Sequence, residues 1–368
     1  MKKMSKILIL VFIVFFEYFL SENSTAGTVL TDEDNSAEEI KTTEKSRIAE
    51  IKAILEEYYL EPERLKNIDW NSINKMEEEK GILEIFKNLD PHSYYMGHKI
   101  FEMRYGENNE PIKNNEKIDL TTSFLFFEEK ENLKIGYLKI NNFDSFGIAE
   151  DLLKKIFDLI KEGADKFILD LRGNLGGFLN ETVAVTDIFL KLNNTDLKEQ
   201  FKPITIIKDK NNKTVLMPYS SNKADFISLL IVLVDEESAS GSEIVASALQ
   251  DYNEAIIIGV PTFGKATAQT IFSFKNGGAA IITTGRFYRP NGETLQGYGV
   301  IPDIIIPKKI IEKKIIIKEK DLERTVKPGN EPPFVPFSDI PQKYQDDFQL
   351  MKALEIIKSF EKFSRKTN

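Results

Sequence analysis

A serine and a lysine 25 positions apart carry the clearest chemistry in this sequence. Ser240 follows an apolar run at a predicted helix start, and Lys265 lies in a turn of small residues. A serine hydroxyl attacks a carbonyl only when a neighbouring base takes its proton, and a lysine serves once burial lowers its pKa. Gln269 follows four residues later and, on a strand, would share a face with Lys265 and orient the amine. These residues predict nucleophilic catalysis.

The same serine also fits an ordinary structural role. Residues 240–243 read SGSE, which matches the capping box that closes the first turn of many helices. Composition alone does not rank Ser238, Ser240 and Ser242 as nucleophiles. A lysine at the start of a strand is usually solvated, so each residue taken by itself has a purely structural interpretation.

A glycine-rich turn supplies a third element. Residues 170–177 read DLRGNLGG, a buried strand that runs into a turn and then a predicted helix. Such turns expose backbone N–H groups, and so does the N-terminus of the helix that begins at Gly241. One interpretation is an oxyanion hole, and the rival is phosphate binding. The spacing matches neither the P-loop nor the dinucleotide-binding fingerprint.

Composition restricts the class of protein. The chain has 368 residues, of which 42% are hydrophobic and 29% charged, as in globular proteins with one large or two ordinary domains. A net charge of -9 argues against a general nucleic-acid binder. The sequence has no cysteine, and its two histidines, His92 and His98, lie far from the serine motif. We therefore expect no disulfide, no metal and no cofactor.

The first 27 residues have the layout of a secretory signal peptide. Three lysines within the first six residues precede an apolar run over residues 7–16, and residues 24–27 are small. The run is short for a membrane span and ends near Glu17, although an uncleaved anchor stays open as the alternative. Both interpretations place the rest of the chain outside the cytoplasmic membrane, and the anchor would add membrane association.

Hydrophobic periodicity predicts a helical N-terminal part followed by alternating strands and helices. Helices are expected over about 46–61 and 73–89, and a loop over 105–118. The later strands are expected over 134–140, 167–171, 227–234, 255–260, 266–274 and 279–288. Helices are expected between them over 145–162, 175–191 and 241–250, with a closing helix over 346–363. This alternation predicts an α/β fold with a sheet covered by helices.

Several ordered motifs resemble one protein family. SASGSEI at 238–244, TFGK at 262–265 with glutamine four residues on, and DLRGNLGG together resemble the C-terminal processing (tail-specific) protease family of serine peptidases. Other segments agree with this resemblance: LDPHSYYM at 89–96, IGYLKINNF at 135–143, GRFYRPNGETLQGYGVIPDI at 285–304 and FQLMKALEII at 348–357. The resemblance extends over nearly everything from residue 46 onward.

The resemblance implies a spiral ββα core like that of crotonases and Clp proteases. It also implies an extracytoplasmic serine endopeptidase that cleaves proteins or peptides near unstructured, apolar C-termini by way of an acyl-enzyme. By position it assigns the nucleophile to Ser240, the general base to Lys265, the support of that base to Gln269, and the oxyanion hole to Gly241 with Gly176 or Gly177. The alternative is a catalytically inactive binding or scaffold protein with the same fold. An adaptor or oligomer partner stays open.

The sequence departs from the family at three places. Leu175 stands where proline is usual and Gly241 where alanine is usual, and neither position supplies a side chain to the chemistry. The family inserts a PDZ domain of about 80–90 residues before the IGY strand, a size that still folds alone. Only 40 residues separate Tyr95 from Ile135 here. We therefore expect the PDZ domain, which captures substrate C-termini, to be missing or reduced.

The expected organisation has six parts. They are a signal peptide or anchor over 1–27, a linker over 28–45, a helical region over 46–95, a PDZ remnant or loop over 96–134 with a strand over 121–129, a protease core over 135–306, and a C-terminal region over 307–368 that ends in a helix.

Overall fold

The computed structural model describes residues 46–105, 121–128, 133–190, 202–221, 229–275, 277–308 and 347–364. The predicted signal segment, the linker over 28–45 and almost all of the loop over 105–118 lie outside the described residues. Within these ranges, no helix combines the length and the apolar composition that crossing a membrane requires.

A six-stranded sheet forms the centre of the fold. In spatial order its strands are β11 (Ile304–Ile305), β8 (Ile256–Gly259), β7 (Leu229–Val234), β4 (Lys166–Asp170), β3 (Leu133–Ile140) and β2 (Thr121–Glu128). Neighbouring strands are parallel, except that β2 is antiparallel to β3 at the edge. The central strands β4 and β7 are almost wholly buried because helices cover both faces of the sheet.

Alternate residues of each strand point to opposite layers of helices. Phe167 and Leu169 of β4 pack in one cluster with α5 (Ile148–Lys161), α6 (Leu179–Phe189) and α7 (Gly241–Asp251). Ile168 between them packs on the other face against α8 (Phe348–Ser364). The period of two thus divides one buried strand between two cores. The predicted α/β class is confirmed.

A second sheet is built around the long strand β10 (Ala279–Tyr288). It pairs along most of its length with β9 (Thr267–Ser273), and its two ends pair with β1 (Tyr94–Met96) and β5 (Ile206–Lys208). β6 (Thr214–Leu216) completes a hairpin with β5. The N-terminal helices pack on this sheet through a cluster that includes Phe272 and Ile282. These helices are α1 (Arg47–Tyr58), α2 (Trp70–Ile73) and α3 (Glu78–Lys87). A further helix, α4 (His98–Tyr105), packs on β10 through a separate cluster that contains Phe101 and Ile281.

Two helix predictions were wrong in their boundaries. The stretch over 73–89 is not one helix, because α2 ends at Ile73 and α3 begins at Glu78. Between Ile73 and Ile82 the only large apolar side chain is Met76, which is 40% exposed, so no buried face holds that turn together. The helix predicted from residue 175 begins at Leu179, because the two preceding glycines adopt positive φ.

The closing helix α8 is fastened to the end of β4 by Arg172. This guanidinium bonds to Asp170 Oδ2 and to Asp347 Oδ1, both at 2.6 Å, and Tyr137 donates its hydroxyl to Asp170 Oδ2 at 2.6 Å. Gln349 also donates to the carbonyl of Ile306 at 2.8 Å. The glycine turn therefore follows a strand end that is fixed on the side of the sheet covered by α8.

Candidate active site

A cavity of about 930 Å³ brings together segments that lie far apart in the sequence. Its wall includes the glycine turn, the start of α7, the residues leading into β9 and the β5–β6 hairpin. Tyr58 and His92 contribute from the N-terminal part. All six predicted site residues line this cavity: Gly176, Gly177, Ser240, Gly241, Lys265 and Gln269.

Sheet topology explains why the glycine turn meets the serine. β4 and β7 are parallel neighbours, with Asp170 paired to Leu233, so their carboxyl ends lie at the same edge of the sheet. The two loops that follow are joined directly, because the Ala239 N–H donates to the carbonyl of Asn174 at 3.0 Å. Such an edge is where ligands bind in α/β proteins.

Ser240 occupies a strained position at the N-terminus of α7. Its backbone has φ 52° and ψ −109°, a conformation that residues other than glycine rarely adopt. Holding a residue there costs on the order of 1–3 kcal/mol, and such strain concentrates at functional sites. Ser240 is half-buried in the cavity wall, next to Gly241, the first residue of the helix.

The neighbouring serines have structural partners instead. Ser238 is fully buried and donates its hydroxyl to the carbonyl of Leu171 at 2.9 Å. Ser242 is also fully buried and donates to the carbonyl of Asn174 at 2.8 Å. Both hydroxyls tie α7 to the glycine turn. The structure therefore separates three serines that composition could not rank, and only Ser240 among them lines the cavity.

Glu243 connects the serine segment to the lysine segment. Its fully buried carboxylate accepts from the backbone N–H of Ser240 at 2.8 Å, of Gly264 at 2.7 Å and of Lys265 at 2.9 Å. The hydroxyl of Thr262 is a fourth donor. Burial raises the pKa of Glu243 to about 7 against the effect of these four donors. Sequence reasoning saw this residue only as half of a capping box.

Lys265 lies just before β9, and its amine is held by the strand. Nζ donates to Gln269 Oε1 at 3.0 Å and to the carbonyl of Thr267 at 3.3 Å. Gln269 Nε2 in turn donates to the hydroxyl of Thr267 at 3.1 Å. The predicted common face of Lys265, Thr267 and Gln269 thus appears as a connected set of hydrogen bonds.

The two adjacent amides of the glycine turn differ in their hydrogen bonding. The Gly176 N–H donates to Asn174 Oδ1 at 2.9 Å, so this amide is already engaged. For the Gly177 and Gly241 amides, no hydrogen-bond acceptor lies among the described residues. Gly176 adopts φ 94°, and a Cβ added to it would come within 2.7 Å of the Gly241 nitrogen. This close approach places the glycine turn directly against Ser240 and Gly241.

Within the described residues, no three His, Asp or Glu side chains converge as ligands for a metal ion. The cavity that Ser240 lines is also lined by a lysine, a carboxamide, hydroxyls and glycine backbone. Such a set is suited to acyl transfer, in which a hydroxyl attacks a carbonyl and an oxyanion forms.

Comparison with known proteins agrees with this geometry. Residues 134–306 match the sequence model of Peptidase family S41. The carboxyl-terminal-processing protease of Picosynechococcus sp. is 31% identical over 197 residues, which are 53% of this chain and 45% of that protein. The carboxy-terminal-processing protease of Bartonella bacilliformis is 33% identical over 236 residues, which are 61% of this chain and 52% of that protein. The chain therefore spans about half the length of these relatives.

A solved photosystem II D1 C-terminal processing protease superposes with a TM-score of 0.55 over 71% of this chain and 92% of that chain. Its sequence identity is 16%, so this likeness concerns the fold alone. The resemblance to the C-terminal processing protease family is confirmed by the match of residues 134–306 to Peptidase family S41 and by these two relatives.

The burial of Glu243 predicts a pH dependence of stability. Its pKa in the folded protein is about 7, above the unfolded value near 4.5, so the folded state binds this proton more tightly. The contribution to stability is complete below about pH 4.5 and is lost as the pH rises toward about 7. Glu243→Gln lacks this titration. We expect urea unfolding to show the wild type losing stability relative to the variant as the pH increases. If the difference in free energy of unfolding between wild type and Glu243→Gln did not change with pH, the raised pKa of Glu243 would be contradicted.

The glycine at position 241 predicts a steric coupling to Thr182. A Cβ at Gly241 would lie 2.5 Å from Thr182 Oγ1. We expect Gly241→Ala to lower the free energy of unfolding by about 1–3 kcal/mol, measured by denaturant titration. Adding Thr182→Ala should recover most of that loss, whereas Thr182→Ser, which keeps Oγ1, should not. Equal free energies of unfolding for the two double variants would show that the added Cβ does not clash with Thr182 Oγ1.

Proposed function

We propose that this protein is a serine endopeptidase that hydrolyses protein substrates through an acyl-enzyme on Ser240. The observation that carries the proposal is the strained Ser240 at a helix N-terminus, in one cavity wall with Lys265 and with two glycine amides. A nucleophile, a base and donors for an oxyanion are the parts that acyl transfer needs.

Lys265 acts as the general base in its neutral form. A neutral amine has two N–H groups, which Gln269 Oε1 and the Thr267 carbonyl can accept, and its lone pair then serves for the serine proton. Ser240 Oγ attacks the peptide carbonyl as Lys265 takes its proton. The resulting ammonium protonates the leaving amine when the C–N bond breaks. Water then attacks the acyl-enzyme, with Lys265 again taking and returning a proton.

The negative oxygen of the tetrahedral intermediate is stabilised by the amides of Gly241 and Gly177. The resemblance left the choice between Gly176 and Gly177 open. The hydrogen bond from the Gly176 N–H to Asn174 supports Gly177, because an amide with an acceptor would have to give it up during the reaction. Removing one donor of such a pair typically costs about 10²–10³ in kcat.

The cavity supports an extended, apolar peptide as substrate. Its volume of about 930 Å³ is at the upper end of the range for small-ligand pockets and suits a short segment of chain. Leu175 in its wall is 70% exposed and Val215 is 56% exposed, which offers apolar surface to a substrate side chain. The β5–β6 hairpin reaches α1, where Lys210 Nζ donates to the carbonyl of Glu56 at 2.7 Å. This boundary favours an unstructured terminus over a folded domain as the substrate.

Substrate capture is expected to differ from that of PDZ-containing relatives. Between the LDPHS segment and β3, the described residues contribute only the short strand β1, the helix α4 and the edge strand β2. This supports a reduced PDZ region over 96–134 and delivery of substrate by an adaptor or by oligomerisation. The signal-like N-terminal segment supports an extracytoplasmic site of action, with cleavage of that segment or anchoring by it as the two forms.

The proposal is tested with purified protein and an unfolded substrate that ends in apolar residues. Ser240→Ala and Lys265→Ala should each lower the cleavage rate by about 10³-fold or more, because they remove the nucleophile or its base. Ser238→Ala is the control, since that hydroxyl serves packing, and it should retain turnover per folded molecule. Products are identified by mass spectrometry. Cleavage that persists in Ser240→Ala would overturn the proposal, and substrate binding by an inactive wild type would favour a scaffold protein.

A further inference from the structure

A buried carboxylate outside the peptidase domain is hydrogen-bonded, through one hydroxyl, to the residue that supports the base. We propose that Asp90 and Thr283 are positioning residues that fix the orientation of the Gln269 carboxamide, so that its oxygen faces Lys265. The inference rests on the proposed role of Lys265 as the base, and it gives a function to the LDPHS segment over residues 89–93.

The contacts form a continuous chain. Lys265 Nζ donates to Gln269 Oε1 at 3.0 Å, and Gln269 Nε2 donates to Thr283 Oγ1 at 3.2 Å. Thr283 Oγ1 donates in turn to Asp90 Oδ1 at 2.9 Å. Gln269 and Thr283 are directly opposite each other on β9 and β10, so the sheet register holds them together.

Asp90 determines which group donates and which accepts in each of these hydrogen bonds. An ionised carboxylate only accepts hydrogen bonds, so Thr283 must donate its single hydroxyl proton to it. With its proton given to Asp90, the Thr283 hydroxyl can only accept a further hydrogen bond. It therefore pairs with Gln269 Nε2, which donates, and not with Oε1. The hydroxyl of Thr267 also contacts Nε2, at 3.1 Å, but a freely rotating hydroxyl can face either end of a carboxamide.

The orientation of Gln269 decides whether Lys265 can work as a base. With Oε1 toward Nζ, the carboxamide accepts an N–H and favours the charged lysine that forms during the reaction. With the carboxamide flipped, Nε2 would donate to the lone pair of the neutral amine and compete with the serine proton. It would also oppose the ammonium form, so the pKa of Lys265 would fall.

Buried contacts hold the Asp90 carboxylate in place. It is 1% exposed and Thr283 is fully buried. Its carboxylate also accepts the hydroxyl of Ser93 and the His92 N–H, the latter at 3.0 Å, while its own N–H donates to the Tyr59 hydroxyl at 2.9 Å. Ser93 Oγ accepts in turn from the Thr283 N–H at 3.0 Å. These hydrogen bonds attach residues 90–93 to Thr283 of β10, the residue that pairs with Gln269 of β9.

The test is the pKa of Lys265, measured by NMR of protein labelled with ¹³C at lysine Cε and assigned with a Lys265→Arg variant. Thr283→Val removes the hydroxyl and keeps the shape, and Thr283→Ser keeps the hydroxyl. We expect the pKa of Lys265 to fall by about one unit in Thr283→Val and to match the wild type in Thr283→Ser. The other ionisable residues of the cavity wall are the same in wild type and both variants: Glu57, Tyr58, His92, Tyr94, Asp144, Asp209 and Lys210.

Two further variants separate positioning from stability. Asp90→Asn should also lower the pKa of Lys265, and it replaces Thr283→Val if that protein does not fold. Ser93→Ala perturbs the same buried group but leaves the Thr283–Asp90 bond, so it should cost stability and leave the pKa unchanged. In cleavage assays, Thr283→Val should lower kcat by about 10–100-fold with KM nearly constant and shift the acidic limb of the pH profile to lower pH.

The outcomes are distinct. A Lys265 pKa that is the same in wild type, Thr283→Val and Asp90→Asn overturns the positioning role. A wild type that cleaves no substrate overturns the proposed function instead, and the NMR measurement still decides the positioning of Gln269 because it needs no turnover.

Discussion

The Glu243 carboxylate accepts backbone hydrogen bonds from both Ser240 and Lys265, and this shared acceptor fixes the spacing of the two segments. A serine on a helix start and a lysine before a strand have no covalent reason to lie together. The carboxylate is fully buried, so its bonds are stronger than they would be in water, and leaving any of its donors unpaired would be costly. The strained backbone of Ser240 persists because the surrounding bonds over-determine it.

The rest of the fold brings other groups to this fixed pair. The parallel strands β4 and β7 end at one edge and deliver the glycine turn beside the serine. Asn174 then joins the two loops by accepting from Ala239 and Ser242 through its carbonyl, while its side chain holds the Gly176 amide. Lys265 lies just before β9 of the second sheet and Gln269 lies within it, and the end of α1 and His92 complete the cavity wall. Two sheets and a helical cap therefore meet at one cluster of polar groups.

Much of this arrangement could be predicted from the sequence, because its signals are local. The apolar runs placed β3, β4, β7 and β8 of the central sheet to within a few residues, and the three motifs contain all six predicted site residues, which line the cavity. The two-residue strand β11 was not predicted, because so short a pairing leaves no periodic signal. Residues 170–177 were recognised as a glycine turn because positive φ and close approach demand glycine. The helix over 73–89 was wrong because its polar middle has no buried face, and periodicity at its two ends concealed that gap.

What the sequence could not predict depends on contacts between distant segments. Glu243 serves as a clamp only because Thr262, Gly264 and Lys265 fold over it, and nothing in its spacing indicates those donors. The preference for Gly177 over Gly176 depends on a side-chain bond from Asn174. The link from Asp90 to Gln269 requires the register of β9 on β10, which sets residues more than 170 positions apart within two hydrogen bonds of each other.

The central claim is that Ser240 attacks a carbonyl because Lys265 takes its proton. The most direct measurement is mass spectrometry of the protein quenched after reaction with an activated ester substrate, followed by peptide mapping. The account predicts one acyl group on the peptide that contains Ser240 in the wild type, and no detectable acyl group there in Lys265→Ala. An acyl group on another residue, or equal acylation of Ser240 without Lys265, would contradict it.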